Sequence, residues 1–574
     1  MRLILNYIKR YKLLFLLNVI SVFGFALVEL GIPSIIANMI DKGIAYNQTT
    51  YLYHQGLLMA VISIIGVCGT ILLGYCCAKI STNITYDIRL DLFKKIQTFS
   101  HEEFKDFKIS SLITRTNNDA FQIQMFVNVL LRTALLTPVM LIISLFLTYQ
   151  SSVELFYVIL GTIPFIILGV VLIAKFSGPL SEKQQASIDN VNQLARENLT
   201  GVRVIRAFNQ QQIEKNKFNK VSEDFKNYTN KLFKLMSSSA PIFFLLMNIA
   251  SCIIYYLGGI LIDADMLQVG KLVAFMDYLF HAMLSMMLFC TVFMMYPRAN
   301  VSAKRIQEVL NRELKLVNAP TSEIPSEGEG MKFTHVSYTS DQKKILDDIN
   351  FEAKVGETIA IVGSTGSGKS SLARLIPRFF DCSEGSITYN GINIKDFDVN
   401  NWRKKIGFIS QKAMLFSGTI KENICYGKKD ATDEEIIHAA KVAQAYDFIM
   451  EKELKFDEMI SENATNVSGG QKQRLSIARA IVRKPAIYVF DDAFSALDFK
   501  TDATLRKALF KETSNSIVFI VATRISTIMN ADKIIVLNHG KMEAIGTHGS
   551  LLKDCPLYQE IVESQMGKEE LDYE

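Results

Sequence analysis

Long apolar runs confined to the first half of the chain limit its folding more than any other feature. "LLMAVISIIGVCGTILLGY" and "ELFYVILGTIPFIILGVVLIA" each approach the ~20 residues with which a helix crosses ~30 Å of hydrocarbon. Six spans are predicted, at 13–40, 55–79, 126–149, 154–175, 238–262 and 269–296, and an even number returns the chain to its starting side. Lys and Arg crowd the segments after the second span (Arg89, Lys94, Lys95, Lys105, Lys108, Arg115) and after the fourth (Arg196, Arg203, Arg206, Lys215, Lys217, Lys220). The positive-inside rule therefore puts both termini in the cytoplasm of a multi-pass protein of the plasma membrane, with the lipid bilayer as its first partner.

The start, "MRLILNYIKRYKLLFLLNVI", resembles a signal peptide in its basic residues, but its apolar stretch is too long and no small-x-small site follows. It reads as a basic interfacial helix leading into the first span. The segments between spans two and three and between spans four and five are rich in helix formers and poor in Gly and Pro, so helices should extend the spans inward. Length and uneven hydrophobicity together predict a multidomain chain. An all-α six-helix transmembrane domain at 1–316 is followed by a polar linker at 317–330, "VNAPTSEIPSEGEG", and an α/β domain at 331–574. The net charge of +5 is accounted for by the cytoplasmic loops, and no basic-aromatic pattern points to nucleic acid. Eight cysteines show no metal-ligand spacing.

In "IAIVGSTGSGKSSLARLI" an apolar strand precedes G-x-x-x-x-G-K-S and a helix follows, the context of a P-loop for ATP. Gly363, Gly366 and Gly368 let backbone N–H groups approach phosphate, with Ser364, Thr365, Ser367 and Ser371 completing the loop, and the helix N-terminus adds its positive end. Lys369 is expected to bridge the β- and γ-phosphates and Ser370 to ligate Mg2+.

Further along, "NATNVSGGQKQRLSIARAI" precedes "YVFDDAFSALD". This order resembles the ATP-binding cassette proteins, whose signature is typically L-S-G-G-Q; Val467 replaces the Leu, while Ser468, Gly469, Gly470 and Gln471 are retained. The resemblance implies further roles: Tyr338 in "VSY" for adenine stacking, Gln411 in "FISQ" and Asp491 as magnesium ligands, Glu462 in "ISENAT", and "SALD" at 495–498. The first half resembles the family's exporters in "SSLITRTNNDAFQIQ" and "ENLTGVRVIRAFNQQQIEKNKF", which implies coupling helices near 101–107 and 207–214.

Two positions depart from the family pattern. The carboxylate after the magnesium aspartate is Asp492 where Glu is usual, and "VATRIST" places Thr523 where a γ-phosphate histidine is usual. One methylene shorter, Asp492 holds its oxygens ~1 Å out of place, an error that can cost ~100-fold. Cassettes pair head to tail, so the resemblance implies a degenerate-site subunit of a heterodimeric, multidrug-type bacterial exporter. On this reading the partner is a non-identical half-transporter carrying the usual Glu and His, and Ser468, Gly469, Gly470 and Gln471 act in trans on the partner's ATP. Two other readings stay open: a self-paired lipid or peptide exporter, and an ATP-gated regulatory membrane protein.

The spans are rich in Phe, Met and Ile, as in "HAMLSMMLFCTVFMMY" at 281–296, an adaptable surface for hydrophobic or amphipathic small molecules. Ionisable groups within spans are costly and more often functional, which marks Glu29, Asp277 and His281 for a substrate path. Asp41, at the outer end of the first span, is marked for an extracellular gate.

Overall fold

The structure is a computed structural model describing residues 1–316, 318, 320–325, 330–340 and 342–570, with side chains except at 166, 170, 174, 239, 290, 294, 499 and 566–570. Of the expected linker, residues 317, 319 and 326–329 therefore lie outside the described residues. Among the described residues, six helical stretches are long and apolar enough to cross a membrane: Arg2–Ile44, Thr49–Gln97, Ile109–Ser151, Val153–Thr200, Gln211–Asp263 and Val269–Leu310. Each contains one of the six predicted spans, in order. They outrun a bilayer: the 49 residues of Thr49–Gln97 extend about 70 Å at 1.5 Å per residue. The excess beyond the second span is a helical extension of the kind the sequence predicted there.

The basic start forms a separate helix, Arg2–Ile8, joined by the turn Lys9–Tyr11 to the helix Lys12–Asn38. It is fastened to the extension of the second span. Tyr7 Oη donates to Asp91 at 2.7 Å, Tyr11 Oη donates to Asp87 at 2.9 Å, and the Arg10 guanidinium lies 4.4 Å from the centre of the Tyr7 ring.

Contacts divide the chain into two units: Met1–Thr98 with Lys108–Arg312, and Phe99–Phe107 with Glu313–Glu574. The second unit thus includes the tip of the first excursion. Its main sheet has six strands in the order Lys541–Gly546, Lys533–Asn538, Thr358–Gly363, Ile517–Val521, Ile487–Asp491, Ile406–Ile409. All pairings are parallel except that of Lys541–Gly546 with its neighbour. The runs "IYVFD" and "IVFIV" are buried at every position, because one face packs on helices and the other on the helix Lys369–Leu375 and a second sheet, so alternation is lost. A second, antiparallel sheet places Lys343–Lys354, Gly330–Ser340, Glu384–Tyr389 and Ile392–Asn393 side by side. Parallel register matters for function: Val521 lies opposite both Ile361 and Asp491. Gly363, Asp492 and Thr523 therefore emerge at one edge of the sheet, the carboxyl edge where α/β folds bind ligands.

Candidate functional site

The strand Thr358–Gly363 and the helix Lys369–Leu375 bracket the glycine loop. Its turn needs glycine for two reasons. Gly363, Gly366 and Gly368 have φ of 154°, 83° and 100°, and a Cβ on Gly363 would stand 2.2 Å from the Leu537 carbonyl oxygen. Only a residue without a side chain lets the backbone curl this tightly and point its N–H groups into the concavity. Lys369 Nζ donates to the carbonyls of Gly363 and Ser364, both at 2.8 Å. Burial holds its ammonium below the ordinary lysine range, with Asp492 and Asp491 pulling the other way. Ser364 and Thr365 lie in this loop and Ser371 in the helix after it, and the buried Ser367 hydroxyl has no partner among the described residues.

The donor set fits a hard cation with its phosphates. Ser370 Oγ donates to Asp491 Oδ1 at 2.6 Å, and Asp491 is fully buried at the end of its strand. A hydroxyl and a carboxylate oxygen at the mouth of a phosphate cradle are the ligands Mg2+ prefers. The metal's contribution, when bound with ATP, is to neutralise phosphate charge.

The water-handling positions are arranged differently. The Asp492 backbone is left-handed, φ 51°, and its N–H donates to the Val521 carbonyl at 3.0 Å, which turns the side chain out of the strand. There Gln411 Nε2 donates to Asp492 Oδ2 at 3.0 Å and Thr523 Oγ1 donates to Oδ1 at 3.4 Å. Both carboxylate oxygens have protein partners. The structure thus pairs Gln411 with Asp492, where a place beside Ser370 and Asp491 was expected of it.

Tyr338 is also placed otherwise than expected. It is 5% exposed, its ring stacks on Phe380 with centroids 4.1 Å apart, and its hydroxyl donates to Glu102 at 3.1 Å. A ring covered in this way offers no face to an adenine. The strand explains why: Met331 and Phe333 point inward, and after a bulge Val336 and Tyr338 do so too.

At the signature, Ser468 caps the helix Gly469–Ile481 in a capping box with Gln471: its Oγ accepts from Gln471 N–H at 3.3 Å and its own N–H donates to Gln471 Oε1 at 3.0 Å. Ser468 and Gly469 are exposed, and a Cβ on Gly469 would meet nothing within 4 Å. This leaves an open helix N-terminus of the kind that binds anions. Val467 is buried beneath it, so an apolar residue still fills the usual leucine position. Glu462 is exposed in the preceding turn.

Sequence reasoning missed the partners of the tip helix His101–Phe107. Glu102 pairs with Lys315 Nζ at 2.8 Å. Glu103, fully buried, accepts from the Ser100 N–H at 2.7 Å, from the Ser100 hydroxyl, and from the Lys315 N–H at 2.8 Å. Burial alone would raise its pKa, but these hydrogen bonds outweigh it and hold the carboxyl below the ordinary range. The signal was present: "SHEE" is a Ser-x-x-Glu helix start. In the second excursion the short helix is Val202–Ala207, and the next begins at Gln211, so the break falls at Phe208–Gln210 inside the segment marked for a coupling helix.

Within the first unit, His281 Nε2 lies 3.5 Å from Glu29 Oε2, which brings two of the three marked path residues together; Asp277 is exposed one turn away on the His281 helix. Asp41, marked for an extracellular gate, is held at the start of the sixth-span helix. It is 9% exposed and accepts from the N–H groups of Gly270 (2.6 Å) and Lys271 (3.1 Å), capping the sixth-span helix, whose free N–H groups need an acceptor. Gly270 permits this approach, since a Cβ there would stand 2.8 Å from Asp41 Oδ1.

Among the described residues no group of three or more His, Cys, Asp or Glu converges on a metal position. Residues 15–292 match the family profile of the ABC transporter transmembrane region and residues 346–495 that of the ABC transporter. The chain is 36% identical over 567 residues to the ABC transporter ATP-binding protein YfiB of Bacillus subtilis, covering 98% of each. It is 29% identical over 564 residues to the ATP-dependent lipid A-core flippase of Haemophilus influenzae, covering 98% of this chain and 96% of that one. Its fold is similar to that of a bacterial Atm1-family ABC exporter solved with ATP bound, with a TM-score of 0.78, 22% identity and 98% of each chain covered.

Proposed function

Because the chain belongs to the ABC transporter family, with the fold of an ABC exporter and an ATPase domain, we propose that it is the subunit of a heterodimeric exporter whose own phosphate loop binds Mg–ATP with little hydrolysis. In this reading the partner is a non-identical half-transporter with Glu and His at the positions of Asp492 and Thr523. The signature from Ser468 to Gln471 completes the partner's hydrolytic site, and both termini face the cytoplasm. The observation that carries the proposal is the Asp492 carboxylate, one methylene short and with both oxygens engaged by Gln411 and Thr523. A general base must bring an oxygen within hydrogen-bond reach of the attacking water; Asp492 is a methylene short for that and is held by Gln411 and Thr523, and a threonine at 523 cannot hold a γ-phosphate as an imidazole would. The cradle and the Ser370–Asp491 pair are intact, so nucleotide binding is retained.

The cargo in this reading is hydrophobic or amphipathic and drug-like, gathered by the Phe- and Met-rich spans, with Glu29, Asp277 and His281 favouring cations. A lipid cargo is the second reading, favoured by the likeness to a flippase along nearly the whole chain. The deciding experiment is transport into inside-out vesicles containing this chain with a candidate partner, alongside ATPase of each chain alone and together. Vigorous ATP hydrolysis and transport by this chain alone would overturn the heterodimer. Within the pair, Asp277→Asn is expected to reduce export of cationic compounds severalfold while neutral cargo and basal ATPase hold. Equal loss for both cargo types, or failure to assemble, would make Asp277 structural.

A further inference from the structure

Asp491 has a second partner that the magnesium reading leaves without a role. Ser370 and Arg374 stand one turn apart on the same face of the helix Lys369–Leu375, and both reach this carboxylate. Ser370 takes Oδ1 at 2.6 Å, and Arg374 Nη2 stands 3.5 Å from Oδ2. Asp491 is fully buried, while Arg374 is 37% exposed, so the guanidinium has solvent to swing into and the carboxylate does not. A guanidinium paired with this carboxylate would stand beside any divalent cation held there, and two cations a few ångströms apart in a partly desolvated site repel strongly.

We propose that Arg374 is a displaceable counter-ion: it neutralises Asp491 while the metal is absent and gives way when Mg–nucleotide loads. This rests on the reading of Asp491 as the magnesium ligand. Arg374 is a positioning residue in this scheme and touches no reacting atom.

The test measures binding of a fluorescent ATP analogue to the full-length chain in lipid nanodiscs, with Mg2+ titrated at fixed nucleotide and a parallel arm in EDTA. Arg374→Gln is expected to lower the half-saturating Mg2+ concentration about threefold to tenfold, the effect of freeing one partly exposed ion pair. In EDTA the same variant is expected to bind nucleotide as the native chain does, and Arg374→Lys is expected to keep the native Mg2+ dependence. Should Arg374→Gln fail to fold, Arg374→Met takes its place with the same expectations. An Asp491→Asn arm separates the two levels. If it leaves the Mg2+ dependence unchanged, the metal assignment falls and the counter-ion with it. If it shifts the dependence while the Arg374 variant leaves it unchanged or raises the Mg2+ required, the counter-ion alone is overturned.

Discussion

The nucleotide site has two parts that lie within one sheet edge and differ in what their polar groups are left free to do. In the cradle, glycines with positive φ and the helix start at Lys369 shape a space for phosphate, and the Lys369 ammonium rests on the Gly363 and Ser364 carbonyls of the loop itself. In the other part, to which the proposal assigns the handling of water, Gln411 and Thr523 both donate to Asp492. The first is shaped for a ligand and the second is closed on itself. The difference follows from which elements supply them: the cradle belongs to one strand–loop–helix, whereas the other three residues come from three separate connections. On the proposed reading, binding persists while the catalytic arrangement drifts.

The largest effect that sharpens this contrast lies outside both parts. Ser468→Arg places a long cation on the open signature helix, which in the proposed pair stabilises the partner's γ-phosphate. Steady-state ATPase of the heterodimer is expected to fall about 100-fold or more, as when preorganised oxyanion donors are lost. Less severe is Asp491→Asn, which removes the carboxylate charge from the cradle side. Magnesium-dependent ATP binding at this chain is expected to weaken about tenfold, measured by equilibrium binding with and without Mg2+. Smaller again is Tyr338→Phe, which removes the hydroxyl bond to Glu102 and costs about 1 kcal/mol of stability, read as a small drop in melting temperature. ATP affinity should not change, because the ring is packed on Phe380. A marked loss of affinity would return Tyr338 to the adenine.

Much of this was legible in the sequence because it is written locally. Apolar runs of spanning length located six helices, and a strand, glycines, lysine and helix in immediate succession located the cradle to the residue. The failures are non-local. Tyr338 sits in a motif position associated with adenine, but a bulge near Val336 and the arrival of Phe380 from a distant turn decide which way it points. The capping role of Asp41 depends on a helix start more than 200 residues away at Val269. Arg374 could be placed on the Ser370 face by counting four residues, but its approach to Asp491 needs the parallel pairing of strands that only the assembled sheet provides. The closure of Asp492 on Gln411 and Thr523 likewise joins three connections whose proximity no spacing encodes.

The smallest expected effect tests the contrast most directly. Asp492→Asn removes the charge from the position where a catalytic carboxylate would act, yet it keeps the side-chain length and one carbonyl oxygen. That oxygen can still accept from Gln411, and the amide end still meets the Thr523 hydroxyl, so the three-residue closure survives in outline. If the carboxylate is already occupied and too short to orient water, its charge contributes little to turnover. Steady-state ATPase of the heterodimer is then expected to stay within about twofold of the native pair. Single-turnover measurement with ATP confined to this chain's site should show the same slow hydrolysis before and after the change. The comparison with Ser468→Arg is decisive because the two changes lie in the same chain but, under head-to-tail pairing, act on different nucleotides. Should Asp492→Asn depress turnover as deeply as Ser468→Arg, the carboxylate is an active base, the closure seen around it opens during the cycle, and the division between a binding part and an idle part is wrong.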